Sequence, residues 1–349
     1  MKILVTGAAG FIGHHLVNLL IKENHDVIGI DSINDYYDVS LKHARLKAQG
    51  IKIDDVIYGK SIPSSILNEY NFVNLDITDK DSMFELFKNS HFDVVCNLAA
   101  QAGVRYSIEH PEAYIDANIS GFLNILECCK TFRPNNLVYA SSSSVYGLNT
   151  KLPFSEDDPV DHPISLYAAT KRTNELFAHT YSHLFGMHTN GLRFFTVYGP
   201  WGRPDMALFK FTKAALEGST IQVFNQGNMT RDFTYVDDIV NGIYKVILIN
   251  KSKTLTNDEI TPSTSSADYK IYNIGNSSPV KLSTFIDLIE EYTGNKIKKE
   301  YLPMQDGDVE KTFADVSHLN KDTNYLPTTP VEIGVKNFVE WYKDFYNYK

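Results

Sequence analysis

Short apolar runs at residues 3–6, 27–31, 71–74, 94–98, 137–140 and 189–192 punctuate the first half of the chain, and the segments between them carry apolar residues at helical spacing. Runs that are apolar at consecutive positions fit strands covered on both faces. Their alternation with helices predicts an α/β fold, a Rossmann-type doubly wound parallel sheet. Ligands of such sheets bind beyond the carboxyl ends of the strands. Asp76 and Ile77 follow one run and Ala99 and Ala100 close another, which makes all four candidate ligand contacts.

Residues 32–63 form a connection longer than usual, with Asp35-Tyr36-Tyr37-Asp38 and a charged helical segment, and read as an insertion. After Gly199 the regular alternation weakens at Pro200-Trp201-Gly202-Arg203-Pro204. A smaller C-terminal substrate-binding lobe is expected from here. Residues 237–248 read as a helix and 270–274 as a strand, so the chain is expected to revisit the first domain before ending in the second. The expected division is 1–195 plus 236–278 for the dinucleotide domain and 196–235 plus 279–349 for the lobe. Residues 250–267, rich in Ser and Thr with little periodicity, predict a mobile surface loop. No internal repeat is visible.

The turn after the first run adds chemistry. Gly7-Ala8-Ala9-Gly10-Phe11-Ile12-Gly13 joins a strand to a helix: Gly7 permits the turn, Gly10 lets backbone approach a pyrophosphate, and Gly13 lets helix and strand pack closely. Asp31 ends the second run, 18 positions beyond Gly13. A carboxylate there accepts bonds from ribose hydroxyls and repels a 2′-phosphate, favouring NAD over NADP. The same residues also suit three turn glycines and a loop aspartate in another α/β protein.

Composition narrows the partners. The chain has 349 residues, 43% of them hydrophobic, enough to bury one large core or two modest ones. Its net charge of −9 argues against nucleic acid or acidic membranes as partners. No apolar run approaches the roughly 20 residues of a membrane span, and Met1-Lys2 leads into the first strand without a signal pattern. A cytoplasmic setting is expected. Cys96, Cys128 and Cys129 offer neither a disulfide framework nor metal spacing, and read as buried thiols. His179 and His183 stand four apart without a third ligand nearby, which fits a solvated helix face; no metal is expected.

Tyr167 and Lys171 lie four apart in Ser165-Leu166-Tyr167-Ala168-Ala169-Thr170-Lys171, a segment that continues as a helix to about residue 184. They share one face. A phenol near an ammonium and a nicotinamide cation is expected to have a lowered pKa and to serve as a base. The pair alone is common by chance, but it follows the dinucleotide turn and Ser141-Ser142-Ser143-Ser144-Val145-Tyr146-Gly147 at a strand end.

On these motifs the chain resembles the extended short-chain dehydrogenase/reductase family, and within it the nucleotide-sugar epimerases, over nearly its whole length. The resemblance implies Tyr167 as catalytic base, Lys171 as its partner and Ser142 as the hydroxyl on the sugar's 4-oxygen. It implies contacts of Asp31, Asp76 and Ile77 with the adenosine half of NAD, a structural Asn118, a diphosphate contact from Arg231 and a uridine-ribose contact from Asp308. Ser143 is expected beside the sugar.

Departures narrow the reaction that the resemblance implies. Dehydratases of the family carry Asp-Glu where Ser143-Ser144 stand, and related decarboxylases carry Glu at Ser144. UDP-galactose epimerases have Asn at Thr196 and Arg at Gln305, so one expected diphosphate contact is replaced here. The stretches 193–206 and 34–41 look like those of UDP-glucuronate 4-epimerases. Arg203 suits a uronate carboxylate, since a planar guanidinium binds it bidentately; it also suits a surface loop, paired with Asp205. Arg193, at a strand end, fits a structural role.

The implied reaction is NAD-dependent epimerisation at carbon 4 of UDP-glucuronate to UDP-galacturonate through a 4-keto sugar, serving polysaccharide synthesis. Thr196 and Arg203 would keep the intermediate's carboxylate out of line with the carbonyl π system, which suppresses loss of carbon dioxide. The alternatives are an epimerase of UDP-N-acetylhexosamines or their uronic acids, and an NAD-sensing binding protein. A homodimer through helices around residues 107–131 and 165–185 is implied as well.

Overall fold

The computed structural model describes residues 1–250, 259–305 and 307–348. Among these, an eight-stranded sheet forms the centre: β1 (Lys2–Thr6), β2 (Asp26–Asp31), β3 (Ser61–Pro63), β4 (Tyr70–Asn74), β5 (Val94–Asn97), β6 (Asn136–Ser142), β7 (Thr189–Phe194) and the late strand Tyr269–Ile274. Its spatial order is β3, β4, β2, β1, β5, β6, β7 and Tyr269–Ile274, parallel throughout except for β3 on β4. The chain works outward from β1 in one direction and then from β5 in the other. The crevice for a ligand opens where that order reverses. The doubly wound parallel sheet expected from the sequence is therefore present.

Successive strand residues face opposite sides, and both sides are covered. Ile3, Val5, Val27, Cys96 and Val138 pack towards α1 (Phe11–Lys22) and the helix Val236–Ile247. Leu4, Ile28, Ile30, Val95 and Leu137 pack on the other side, towards the helices Phe122–Phe132 and Leu166–Phe185. Each such side chain contributes about 1.5–3 kcal/mol of burial. This double coverage is why the runs are continuous and not alternating.

The 32–63 connection holds α2 (Val39–Ala48), whose N-cap Asp38 accepts from the Ser40 amide at 2.9 Å. Arg45 of α2 is fully buried and donates to the Ala9 carbonyl at 2.9 Å, the Tyr37 hydroxyl at 2.6 Å and the Trp201 carbonyl at 2.6 Å. The insertion is thus a strut between the glycine turn and the loop that carries Arg203. A separate apolar cluster forms around Phe209, Phe285, Ile289 and Phe338, with Phe233 stacked on Phe285 at 4.0 Å. Leu41 of α2 joins it.

Of the stretch 250–267, residues 251–258 lie outside the described residues. In the remainder Ser263 and Ser265 are buried, bonded to Asp157 at 2.7 Å and to His179 at 2.9 Å. His179 is therefore half-buried and engaged, where a solvated face was expected, because this returning segment covers it. Among the described residues no group of His, Cys, Asp and Glu could hold a metal ion, and no helix is long and apolar enough to cross a membrane. The three cysteines are buried free thiols.

Candidate active site

One cavity of about 1260 Å³ runs along the carboxyl ends of the strands. At one end stands the glycine turn. Gly7 has φ +72°, and a Cβ on Gly13 would lie 2.1 Å from the Gly7 carbonyl oxygen, so a side chain at Gly13 would force turn and helix apart. Gly10, Phe11, Ile12 and Gly13 line the cavity, and among the described residues no side chain caps α1, which leaves its amide end for an anion. Asp31 is buried: one carboxylate oxygen accepts from the Ala9 amide at 3.1 Å, the other from the Ile33 amide at 2.8 Å.

Asp76 and Ile77 border the same space beyond β4, and Ala99 and Ala100 do so beyond β5. The Ala99 amide donates to Thr6 Oγ1 at 2.9 Å. Asn118 does not line the cavity; buried, it bonds both the amide and the carbonyl of Gln101 and donates to Thr170 Oγ1 at 3.0 Å. A glycine cradle, an uncapped helix end and a carboxylate with lone pairs to spare fit NAD.

The middle of the cavity holds Ser142, Ser143, Tyr167 and Lys171. Ser165 caps the helix Leu166–Phe185, accepting from the Ala168 amide at 3.1 Å. Tyr167 thereby sits in the first turn, where the helix dipole favours negative charge. Lys171, one turn on, is buried and donates to the Ala140 carbonyl at 2.8 Å; burial pulls its pKa down to about 8. Ser142 Oγ accepts from the Ser144 amide and donates to Ser144 Oγ, both at 3.1 Å, close enough to Tyr167 to lower its pKa.

In the protein alone, burial raises the Tyr167 pKa, against the lowering influence of the Ser142 hydrogen bond and the Arg203 charge. In the protein alone those two lowering influences are outweighed. Desolvation of a phenolate inside the fold acts before any bound cation is counted.

At the far end Thr196 opens a short strand, Thr196–Tyr198, paired with Phe233–Tyr235. Arg203 and Asp205 both line the cavity, joined by two parallel bonds: Nε to Oδ1 at 2.9 Å and Nη2 to Oδ2 at 2.5 Å. Arg203 is thus paired with Asp205 and at the same time lines the pocket. Arg231 donates to the carbonyls of Thr230 and Glu310 at 3.1 and 2.9 Å; burial lowers its pKa, and Arg105 lowers it further against Asp308. Asp308 is held by Arg105 at 3.1 Å. Arg193 instead lies buried against Glu175 at 2.9 Å, a structural ion pair.

Sequence reasoning missed Lys42, Arg105, Tyr36 and Lys210, all of which line the cavity. Lys42 is buried 3.8 Å from Asp31 and donates to Asn34 at 2.7 Å. A lysine in the first turn of α2 opposes the helix dipole, and that local misfit was the available signal. Arg105 packs over the Phe224 ring at 4.9 Å, a cation beside Arg231 where the sequence had led us to look to Gln305.

A family model described as the NAD dependent epimerase/dehydratase family matches residues 3–275. Protein CapI of Staphylococcus aureus is 53% identical over 99% of both chains. UDP-glucuronate 4-epimerase 4 of Arabidopsis thaliana is 46% identical over 99% of this chain and 76% of its own length. The crystal structure of UDP-glucuronic acid 4-epimerase from Bacillus cereus, in complex with UDP-glucuronic acid and NAD, is 32% identical, with a TM-score of 0.85 over 99% of this chain and 100% of the other. A glycine turn, a buried acid and a Tyr-Lys pair in one cavity, matched along nearly the whole chain, make this protein a member of the NAD dependent epimerase/dehydratase family.

Proposed function

We propose that the protein is a UDP-glucuronate 4-epimerase, interconverting UDP-glucuronate and UDP-galacturonate. The observation that carries this reading is a guanidinium, Arg203, in the same cavity as Ser142, Tyr167 and Lys171. A uronate differs from a neutral hexose by one carboxylate, and Arg203 is the group suited to it. Bound NAD supplies a reversible oxidant for carbon 4 of the sugar.

The chain's own residues do the rest. Tyr167 takes the proton of the 4-hydroxyl and returns it after the sugar has turned its other face. Lys171, to which no carboxylate among the described residues is bonded, supports the phenolate and reaches the ribose. Ser142 holds the 4-oxygen in line with Tyr167, and Ser143 borders the sugar. Thr196 and Arg203 orient the carboxylate, while Arg231 and Asp308 hold the diphosphate and uridine ribose. In this reading residues 1–195 and 236–278 carry NAD, and 196–235 and 279–349 the sugar nucleotide.

The test is incubation with UDP-glucuronate, without added reductant, followed by proton NMR. Inversion at carbon 4 with unchanged mass is expected. Conversion of UDP-N-acetylglucosamine in place of UDP-glucuronate would overturn the substrate, and no conversion of any UDP-sugar would overturn the enzyme.

A homodimer is part of the proposal. The helix Leu166–Phe185 exposes Leu176 and Leu184, and the neighbouring segments expose Ile108, Ile115 and Leu123. Apolar side chains spread over adjacent helices suit a self-complementary interface. Sedimentation at micromolar protein is expected to give twice the chain mass; a monomer mass removes the dimer. A cytoplasmic setting is proposed too, in keeping with three free buried thiols.

A further inference from the structure

The guanidinium offered to a uronate is already occupied. Asp205 takes the Nε and Nη2 edge of Arg203 with both of its oxygens, while among the described residues none bonds Nη1. The side chains of Arg203 and Asp205 are 23% and 30% exposed, so an incoming carboxylate meets the pair as a unit. Tyr36 stands beside the pair: its hydroxyl is 3.5 Å from Asp205 Oδ2, towards which it donates, and its ring lies 6.0 Å from the guanidinium.

An unpaired arginine in such a cavity would bind a carboxylate with full charge as well as two hydrogen bonds. The proposed reaction needs the opposite in its middle step, because the keto sugar must present both faces in turn and its carboxylate must leave one wall for another. A group held equally hard before and after the turn is a trap.

We propose that Asp205 is a positioning residue that neutralises Arg203 and leaves only its Nη1 edge to the substrate, so that the uronate is oriented yet free to turn. The inference rests on the uronate reading above. Asp205 competes for Arg203 at every moment, and the substrate carboxylate gains direction more than charge.

Binding and turnover separate the two ideas. In a Tyr167→Phe background, which stops turnover, calorimetry gives Kd for UDP-glucuronate, UDP-glucose and UDP. The uronate is expected to bind less than about tenfold tighter than UDP-glucose, the range of a screened pair. Adding Asp205→Asn is expected to tighten the uronate by about tenfold and leave UDP unchanged. In the otherwise native enzyme, Asp205→Asn should lower KM and kcat together, and Asp205→Glu should restore kcat.

Uronate affinity and kcat within about twofold of the parent, or weakened uronate binding with UDP unaffected, would overturn the proposal. Should Asp205→Asn not fold, the parent decides: discrimination beyond about tenfold overturns it, and discrimination within about tenfold supports it. Failure of the native enzyme to epimerise UDP-glucuronate strikes the substrate reading instead, and is seen in a different assay.

Discussion

Tyr167→Phe is expected to lower kcat by about a hundredfold to ten-thousandfold, the span that a positioned acid-base group contributes. The purified variant should keep its NAD, because the glycine turn and Asp31 lie at the other end of the cavity and touch neither the phenol nor its helix turn. Stability should fall by no more than about 1 kcal/mol, since the lost hydroxyl leaves Ser142 still bonded to Ser144. The pH dependence follows from the same group. Proton removal needs the phenolate, and burial raises the Tyr167 pKa, so kcat/KM should climb with pH through neutrality. Lys171, pulled down to about 8 by burial, loses its charge on the way, which withdraws support from the phenolate and should flatten the climb above that pH. The variant should lose the climb. Turnover within tenfold of the native value, or an unchanged pH profile, would remove Tyr167 as the base.

How much of this was legible in the sequence depended on how local the cause was. Strands β1, β2, β5 and β6 were readable because burial on both faces makes each of them largely apolar at consecutive positions, whereas β4 and β7, which carry Asn71, Asn190 and Arg193, were readable only as shorter apolar stretches within the alternation with helices. β3 was not: it is three residues long, antiparallel, and buries only Ile62 of its members. The glycine turn and the Tyr-Lys pair are short motifs whose spacing alone fixes geometry, and their residues line one cavity.

Long-range partnerships were invisible. Nothing near Arg45 in sequence indicates that it ties residue 9 to residue 201. Nothing near Arg105 points to Phe224 and Asp308. The burial that raises the Tyr167 pKa in the protein alone was hidden for a related reason. Charges can be counted along a chain, whereas desolvation depends on what the whole fold lays over the phenol.

Arg203→Ala is the second large effect, and Asp205 makes it more than the loss of a contact. Without the guanidinium, a carboxylate lined up for it is left facing the cavity, so a uronate would meet like charge where it had met a donor. KM for UDP-glucuronate should rise by about tenfold to a hundredfold, of which the lost hold on the carboxylate supplies less than about tenfold and repulsion by the unmasked Asp205 the rest. The affinity for UDP alone should not move. The second consequence is chemical: the 4-keto sugar is a β-keto acid, and its carboxylate, no longer held out of line with the carbonyl, can depart as carbon dioxide. Mass spectrometry should find UDP-pentose beside UDP-galacturonate. Unaltered affinity with no carbon dioxide release would strip Arg203 of the role. Adding Asp205→Ala to Arg203→Ala closes a double-mutant cycle. If repulsion by Asp205 carries part of the rise in KM, the double variant must bind UDP-glucuronate more tightly than Arg203→Ala alone while still leaking carbon dioxide, because removing the acid relieves charge and restores no hold on the carboxylate.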